Sequence, residues 1–272
     1  MHIRSQRRRV IFGRGRMFFV CAATLLAAAC SQPATSVKTP WEPLALQDDE
    51  PALEGREIIM RLTGFLGNQP EIMTEAFVTY QAMQDSGQKL HLDLLQQIVV
   101  HQPDKLYWKT LHDDASVETA WFSDGRFSLL KEPSNVWGQI DGPNEIPDMV
   151  DLLATQYGVT VPFRDLLSEG LANIWLSDEV TSVVYVGEAW VAGAWTDHVA
   201  IRKPGIDFEL WIRKGPEPFL DKLTVVFTEE PGMPTHSARF LKWATTISDP
   251  AVFQPAVPTD AERVDMVPVS GR

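Results

Sequence analysis

The chain has 272 residues, and its 24 Lys and Arg side chains against 36 Asp and Glu give a formal net charge of −12 at pH 7. A chain this acidic is repelled by phosphate backbones, which excludes the proteins that bind nucleic acid through basic surfaces. With only two cysteines, it is not a disulfide-stapled secreted fold either, so its stability depends on a hydrophobic core.

The first 30 residues have the layout of a secretion signal. Six arginines lie between Arg4 and Arg16, an apolar stretch runs from Met17 to Ala29, and small residues precede Cys30. This order predicts cleavage before Cys30, which would become the lipidated first residue of the mature protein. An uncleaved anchor is the alternative, but the apolar stretch is shorter than the about 20 residues that span a bilayer. The arginine-rich head leaves both the twin-arginine and the general secretion route open.

Cleavage at this point changes the charge of the chain. All six arginines before Cys30 are lost and no acid is, which leaves 18 basic and 36 acidic side chains and a formal charge of −18. We divide the chain into a signal peptide (1–29), a flexible tether (30–52), one folded domain (53–266) and a C-terminal tail (267–272). The tether contains four prolines and the acidic run Asp48-Asp49-Glu50, with too little apolar surface to fold.

The domain begins with a predicted helix and a predicted β-hairpin. A helix from Glu57 to Leu66 is indicated by apolar residues at helical spacing: Ile58, Ile59, Leu62, Phe65 and Leu66. Two runs with a period of two, 72–82 and 90–100, predict strands. A three-residue loop with Gly87 in the left-handed conformation would pair Val78 with Leu94, Tyr80 with Leu92, and Ala82 with Leu90. This register places the apolar side chains of both strands on one face.

The pattern continues as strands, a helical interruption and more strands. Strands are predicted at Lys105–Leu111, Val117–Ser123, Arg126–Lys131, Val136–Ile140, Val183–Glu188, Trp195–Lys203, Ile206–Arg213, Leu220–Glu229 and Ser237–Thr245. The interruption holds a helix from Glu145 to Tyr157 and a short one from Pro162 to Ser168. The Pro204-Gly205 turn would pair Val199 with Leu210 and Ile201 with Phe208 on one face. On the other face it would pair His198 with Trp211, Ala200 with Glu209, and Arg202 with Asp207.

These elements predict an α+β fold. A single antiparallel β-sheet of this length curls strongly, because strand twist accumulates from strand to strand. The expected architecture is a half-barrel with the helices on its concave side and an apolar interior. No internal repeat and no second domain boundary stand out.

Several segments resemble, in the same order, a family of predicted periplasmic bacterial proteins with no assigned function. They are Gln102-Pro103-Asp104-Lys105-Leu106, Phe122-Ser123-Asp124-Gly125, Tyr157-Gly158-Val159, Pro162-Phe163-Arg164-Asp165-Leu166-Leu167, Tyr185-Val186-Gly187, Asp197-His198-Val199-Ala200, Asp207-Phe208-Glu209-Leu210-Trp211-Ile212, Trp243, Phe253-Gln254-Pro255 and Ala261-Glu262-Arg263-Val264. The likeness runs from about Leu53 to Met266. That family is similar in fold to LolA-like and LppX-like lipoprotein carriers and to the N-terminal domain of RseB-like regulators. The resemblance therefore implies a LolA-like half-barrel, which in the carriers holds acyl chains.

The expected site is the apolar interior of this half-barrel. Its candidate lining or face residues come from the predicted strands: Tyr80, Leu92, Leu94, Trp108, Phe208 and Leu210. The many tryptophans on or beside predicted strands are explained by core packing, with the lining of a ligand cavity as the alternative.

A second candidate surface is polar and lies on the opposite face: His198, Trp211, Glu209, Arg202 and Asp207. His198 could act as a proton acceptor held by a carboxylate. A cross-strand polar network explains the same residues without chemistry.

No reaction is indicated by the sequence. A nucleophile elbow, a phosphate-binding loop and a dinucleotide fingerprint are absent. His101, His112, Asp113 and Asp114 could in principle bind a metal, but their spacing fits no ligand motif. We therefore expect neither an enzyme nor a metal or cofactor site.

The expected function is that of an acylated (palmitate-type) lipoprotein that binds or receives a hydrophobic ligand, either a lipid or a lipoprotein acyl chain. The likeness to bacterial lipoproteins implies the periplasmic face of the outer membrane, because Ser31 rather than Asp follows Cys30. The alternative is an RseB-like envelope protein that binds a protein partner and carries no lipid.

Overall fold

The computed structural model describes residues 50–164 and 175–269, which fold mostly as β-sheet with few helices. The described chain begins with α1 (Glu50–Gly67). Six strands follow: β1 (Glu71–Met83), β2 (Lys89–His101), β3 (Lys105–His112), β4 (Val117–Ser123), β5 (Arg126–Glu132) and β6 (Val136–Asp141). A helical interruption holds α2 (Ile146–Leu152) and a π-helical turn (Leu153–Tyr157). Five strands come next: β7 (Ser182–Val191), β8 (Ala194–Lys203), β9 (Ile206–Arg213), β10 (Leu220–Phe227) and β11 (Thr235–Ala244). The chain then forms a 3₁₀ turn (Pro250–Phe253) and the short β12 (Glu262–Arg263).

All these strands belong to one sheet, in the order β12-β6-β5-β4-β3-β2-β1-β11-β10-β9-β8-β7. The two meanders, β1–β6 and β7–β11, meet where β1 pairs antiparallel with β11. β12 pairs in parallel with β6 and so forms one edge of the sheet. Twist accumulates over so many strands, so the sheet is large, open and curled.

The predicted strand registers are confirmed. β1 and β2 pair Val78 with Leu94, Tyr80 with Leu92, and Ala82 with Leu90, and Gly87 has the expected positive φ of 81°. β8 and β9 pair through all five predicted residue pairs, from His198 with Trp211 to Arg202 with Asp207. Loop length and side-chain alternation together determine these registers, because a shift by one residue would expose every apolar side chain.

The helices differ more from their predictions. α1 begins at Glu50, seven residues before the predicted Glu57, so the end of the predicted tether is helical. Pro51 is compatible with this, since proline is tolerated in the first turn of a helix. The predicted helix 145–157 consists of α2 and the π-helical turn, and it ends at Gly158 with a φ of 63°. Most of the predicted helix 162–168 lies outside the described residues.

The sheet has two faces, which we call the core face and the outer face. On the core face, cross-strand neighbours form one hydrophobic cluster that includes Val78, Trp108, Val199 and Leu210. The outer face carries the alternate residues, for example Phe77, Lys222 and Trp211. None of the helices in residues 50–164 and 175–269 is long and apolar enough to cross a membrane.

α1 packs on the core face of β7 and β8. Its apolar side chains Ile58, Ile59 and Leu62 are buried in the same cluster as the strand residues. The approach to β7 is close at Gly55, where a Cβ atom would lie 2.9 Å from Val183 Cγ1 and 3.2 Å from the backbone N of Tyr185. A larger residue at position 55 would therefore push the helix away from the sheet.

The C-terminal segment (residues 246–269) covers part of the outer face and one sheet edge. Its 3₁₀ turn contacts β3 and β4, and Phe253 is buried with its ring centroid 6.4 Å from that of His101. The segment then pairs with β6, where Val264 N donates to Trp137 O over 2.8 Å. This pairing protects an edge that would otherwise present unpaired backbone groups.

Candidate functional site

The structure places all six predicted interior residues on the core face. Trp108 and Leu210 are fully buried, and Phe208 is nearly so. Leu94 is partly buried against the same cluster. Tyr80 and Leu92 are half-buried and lie opposite each other at the end of the β1–β2 hairpin. Of the six, Phe208 lines a hollow described below, and Trp108 stacks on Phe127 with ring centroids 5.5 Å apart.

A row of aromatic rings fills the middle of the core face. Neighbouring ring centroids along it are 5.0 to 5.2 Å apart, and its members are Phe65, Phe219, Trp243, Phe240 and Phe163. Trp243 also donates its indole N–H to Leu220 O over 2.9 Å. Contacts of this kind satisfy the one polar atom of a buried indole. These aromatic residues therefore form solid core between α1 and the sheet.

An apolar hollow of about 230 Å³ lies beneath β9, β10 and β11, and we call it the β10 hollow. Its apolar lining comes from Phe163, Ile206, Phe208, Leu223, Val225, Phe227 and Ala238, and its polar lining from Arg164 and His236. Burial lowers the pKa of His236 below its ordinary value, although solvent still reaches the side chain. Arg164 is half-exposed and bonds to Asp151 Oδ1 over 2.8 Å. The β10 hollow therefore combines apolar walls with one arginine and with one histidine whose neutral form is favoured.

A second hollow, of about 450 Å³, lies between β6 and the C-terminal segment, and we call it the β6 hollow. Leu129, Trp137, Val159 and Met266 are among its apolar lining residues. Gly138 allows the C-terminal segment to approach β6 closely, because a Cβ atom there would lie 2.5 Å from Met266 Cγ. The ion pair between Lys131 and Glu118, 2.6 Å long, lines the same hollow. Its lining is thus more polar than that of the β10 hollow.

An ion pair between a partly exposed arginine and a buried carboxylate joins α1 to the core face, and sequence reasoning did not identify it. Arg61 Nη2 lies 2.6 Å from Asp197 Oδ2, and the Asp197 side chain is only 6% exposed. Lys214 Nζ lies 3.5 Å from the other oxygen of Asp197, and Tyr185 donates to that oxygen over 3.4 Å. Burial, followed by the charge of Asp197, raises the pKa of Tyr185. The sequence does contain a signal for this ion pair, because Asp197 alternates in phase with the apolar Val199 and Ile201. A carboxylate on a buried strand face requires partners.

The predicted polar face is assembled on the outer face of β8 and β9. The rings of His198 and Trp211 stack with centroids 4.2 Å apart, and His198 Nε2 lies 2.8 Å from Glu209 Oε2. The hydrogen bond from His198 lowers the pKa of Glu209. Arg202 donates two 2.7 Å hydrogen bonds to Asp207, which lowers the pKa of that carboxyl.

The stacking surface of Trp211 is already occupied on this polar face. Lys222 Nζ lies 3.9 Å from the ring centroid of Trp211, and the residue as a whole is only 8% exposed. No Ser, Thr or Cys hydroxyl or thiol is among the hydrogen-bond partners that the described structure gives to His198 or Glu209. The arrangement is a cross-strand network of hydrogen bonds and stacked groups, a common way to stabilise the solvent-facing side of a sheet.

The residues considered for a metal site do not come together. His101 Nδ1 lies 3.8 Å from Asp104 Oδ1, too far for a hydrogen bond. Hydrogen bonding to Ser116 at the β3–β4 turn, through its side chain and then its backbone N–H, lowers the pKa of the Asp114 carboxyl. Within the described ranges, no group of three or more His, Cys, Asp or Glu residues is arranged to hold a metal ion.

The outer face also exposes a row of apolar side chains that sequence reasoning did not single out. Phe77 is 44% exposed and Leu111 is 40% exposed, and Leu95 lies between them in direct cross-strand register. Arg239 and then Lys222 continue this row on the other side of Phe77. The row is therefore apolar at one end and basic at the other.

Several solved structures are similar to this chain. The lipoprotein LppX of Mycobacterium tuberculosis is 12% identical, with a TM-score of 0.41 over 72% of this chain and 97% of that chain. A LolA superfamily protein of Nitrosomonas europaea is 6% identical, with a TM-score of 0.33 over 74% and 97%. MucB, solved in complex with MucA, is 14% identical, with a TM-score of 0.34 over 74% of this chain and 60% of that chain. At these identities and TM-scores the likenesses carry no conclusion about function.

Family membership comes from the sequence itself. No curated protein matches the chain. A family model does match, and it spans residues 55–267, nearly the whole of the described fold. The predicted resemblance to a family of periplasmic bacterial proteins is thereby confirmed. The chain belongs to the family of predicted periplasmic proteins known as DUF2092.

Proposed function

We propose that this protein is a non-catalytic, membrane-anchored periplasmic lipoprotein whose core face binds an acyl chain. The observation that supports it best is the β10 hollow, whose walls are apolar apart from Arg164 and His236. Ligand pockets are usually apolar with a few polar groups that orient the ligand. In the proposed complex, the hydrocarbon lies against Phe208 and Val225, and an anionic head lies near Arg164.

The curled shape favours the core face as the concave side of the sheet. α1 packs there through Ile59 and Leu62, and α2 contributes Ile146 and Met149 to the same cluster. When helices pack on a concave sheet, space remains wherever the side chains of the helices do not reach those of the strands. The β10 hollow and the β6 hollow are two such spaces.

The membrane anchor is the acyl modification of Cys30. Anchoring through two or three acyl chains is close to irreversible, at roughly 0.8 kcal/mol per buried CH₂ group. An anchored protein cannot shuttle between membranes, so we propose a receiver or holder of lipid at the periplasmic face of the outer membrane. Metabolic labelling with palmitate checks the anchor. Label and membrane fractionation should both be lost in Cys30→Ala, and a labelled Cys30→Ala protein would refute the proposed anchor.

The ligand is tested by uptake of a fluorescent fatty acid by the mature chain with Cys30→Ser. Uptake should be saturable and should be largely lost in Val225→Phe, where the larger ring fills the β10 hollow. Val159→Phe, which fills the β6 hollow instead, is the matched control and should retain uptake. Absence of uptake by the wild-type sequence, together with absence of co-purified lipid in mass spectrometry, would reject the proposal.

A second candidate function is supported by the exposed row on the outer face. Phe77 and Leu111 present apolar surface next to the basic Arg239, which suits an acidic, partly apolar segment of an envelope protein. Double substitution of Phe77 and Leu111 by Ser should then abolish a cross-link to one envelope protein and leave fatty-acid uptake unchanged. Met233→Ser, at a residue that is 52% exposed outside the row, is the control. An unchanged cross-link in the double variant would eliminate this function.

A further inference from the structure

The tip of the β7–β8 hairpin carries two tryptophans that the core does not use. Trp190 is 61% exposed and Trp195 is 54% exposed. In contrast, Trp108, Trp121, Trp175 and Trp211 are all buried. Exposing two indoles side by side costs apolar burial that the protein obtains in full at these four tryptophans and in part at Trp137 and Trp243. Core packing therefore does not explain why Trp190 and Trp195 are tryptophans.

The hairpin holds the two indoles rigidly. Trp190 and Trp195 are direct cross-strand partners, with ring centroids 5.3 Å apart at an interplanar angle of 75°. The loop between the strands has only two residues, Ala192 and Gly193, with φ values of 49° and 91°. Positive φ at both positions is the geometry of the tight turn that fits strand twist. The backbone of Trp195 is further fixed, because its carbonyl accepts from Lys214 N over 3.0 Å.

The charges at the base of this hairpin balance. Glu188 pairs with Lys214, and Asp197 pairs with Arg61 and Lys214. Two acids and two bases thus lie behind the indoles of a chain whose formal net charge is −12. The tip can consequently approach a bilayer without the repulsion that an acidic surface would meet at anionic headgroups.

The length of the preceding chain allows this approach. Glu50 lies twenty positions after Cys30, and this stretch can span at most about 70 Å when extended. α1 runs alongside β7 in the same direction, since Gly55 lies against Val183 and Arg61 reaches Asp197, the partner of Glu188. The hairpin tip is thus at the far end of α1, about 27 Å along the helix from Glu50. The extended tether is longer than α1, so Cys30 can be anchored in the same membrane that the hairpin tip contacts.

We propose that the Trp190–Trp195 tip inserts into the headgroup region of the bilayer and orients the domain on the membrane. Indoles prefer this region because an apolar ring and one N–H donor match its mixed polarity. The proposal relies on the proposed anchor only to keep the domain near a bilayer. The tip supplies a second, non-covalent contact that does not depend on which ligand occupies the core face.

The test uses the mature chain with Cys30→Ser, so that no acyl group contributes, and with Trp41→Phe, so that a residue outside the domain adds no signal. Vesicles of phosphatidylcholine, with and without phosphatidylglycerol, are the probe. The tryptophan emission should shift to shorter wavelength on binding, and lipids brominated near the headgroup should quench it. The double variant Trp190→Ala/Trp195→Ala should bind vesicles at least about tenfold more weakly, a loss of about 1.4 kcal/mol. Leu241→Ala, at a residue that is 53% exposed elsewhere, should bind as the parent does.

Three results would overturn the proposal. The parent protein fails to bind either vesicle, the double variant binds as well as the parent, or the parent is a dimer in sedimentation that the double variant turns into a monomer. The last result would assign the tip to a contact between copies. Fatty-acid uptake measured on the same double variant should be unchanged, so that a failure of the β10 hollow and a failure of the tip are distinguished.

Discussion

The two faces of the sheet are built from the same strands but are stabilised by different interactions. On the core face, Val78, Leu210 and Val199 are fully buried, and the buried carboxylate of Asp197 is held by Arg61 and Lys214. The outer face relies on cross-strand pairs that remain in contact with water, such as His198 with Glu209. Part of the outer face is nevertheless buried, at Trp211 and where the 3₁₀ turn of the C-terminal segment contacts β3 and β4. The comparison indicates that stability comes from the core face, which leaves the outer face and the hairpin tip available for contacts.

The strongest test of this comparison substitutes one apolar residue on each face. Leu210→Ala on the core face should lower the free energy of unfolding by about 2–5 kcal/mol, because it leaves a cavity. Phe77→Ala on the outer face should cost less than about 1 kcal/mol, the size of a cross-strand contact. Urea unfolding followed by circular dichroism measures both. Equal losses would show that the outer face is covered in the folded protein.

A smaller effect is expected from the ion pair between α1 and the sheet. Arg61→Leu leaves the buried carboxylate of Asp197 with fewer partners, which should cost about 1–3 kcal/mol of unfolding free energy. The double variant Arg61→Leu/Asp197→Leu should recover part of this loss, since no buried charge remains. Arg202→Leu, which breaks the exposed pair with Asp207, is the control and should cost about 1 kcal/mol or less. Similar losses in both single variants would contradict the distinction between the faces.

Titration of His236, on the core face, should make the stability of the protein depend on pH. Its pKa in the folded protein lies below the ordinary value of 6.5, because burial disfavours the charged ring. The unfolded chain therefore binds more protons in this range, and stability falls as the pH decreases below about 6.5. The decrease in melting temperature between pH 7.5 and pH 5 should be smaller in His236→Gln than in the wild type. An identical decrease in both proteins would exclude this role.

The smallest effect concerns the outer face and appears at lower pH. The hydrogen bond from His198 lowers the pKa of Glu209 below its ordinary value of 4.5. The folded state is stabilised by the ionised carboxylate above that value, and this contribution is lost as the pH falls through the lowered pKa. Because Glu209 is 42% exposed, Glu209→Gln should cost below about 1 kcal/mol at pH 6.5. The difference from the wild type in urea unfolding should shrink as the pH falls below 4.5, and a difference that stays constant there would have another origin.

Much of the sheet was predictable because its rules are local. Alternation determines which residues share a face, and loop length determines the register, so the pairs Val78–Leu94 and His198–Trp211 follow from the chain alone. The start of α1 was less predictable. Residues 50–56 lack a strong apolar period, and it is packing of α1 on β7 at Gly55 that supports a helix there.

The candidate sites, too, were predictable only in those features that depend on local sequence. The sequence by itself determined that Phe208 and Leu210 lie on one face and Glu209 and Trp211 on the other, because strand periodicity is two. Only the tertiary structure decided that Trp243 is part of a filled aromatic row, that a hollow remains beside Phe208, and that Arg61 meets Asp197 across 136 residues. Those features arise where distant segments pack together. Periodicity describes each strand separately, whereas volume left empty and charge left unpaired depend on how all the segments meet.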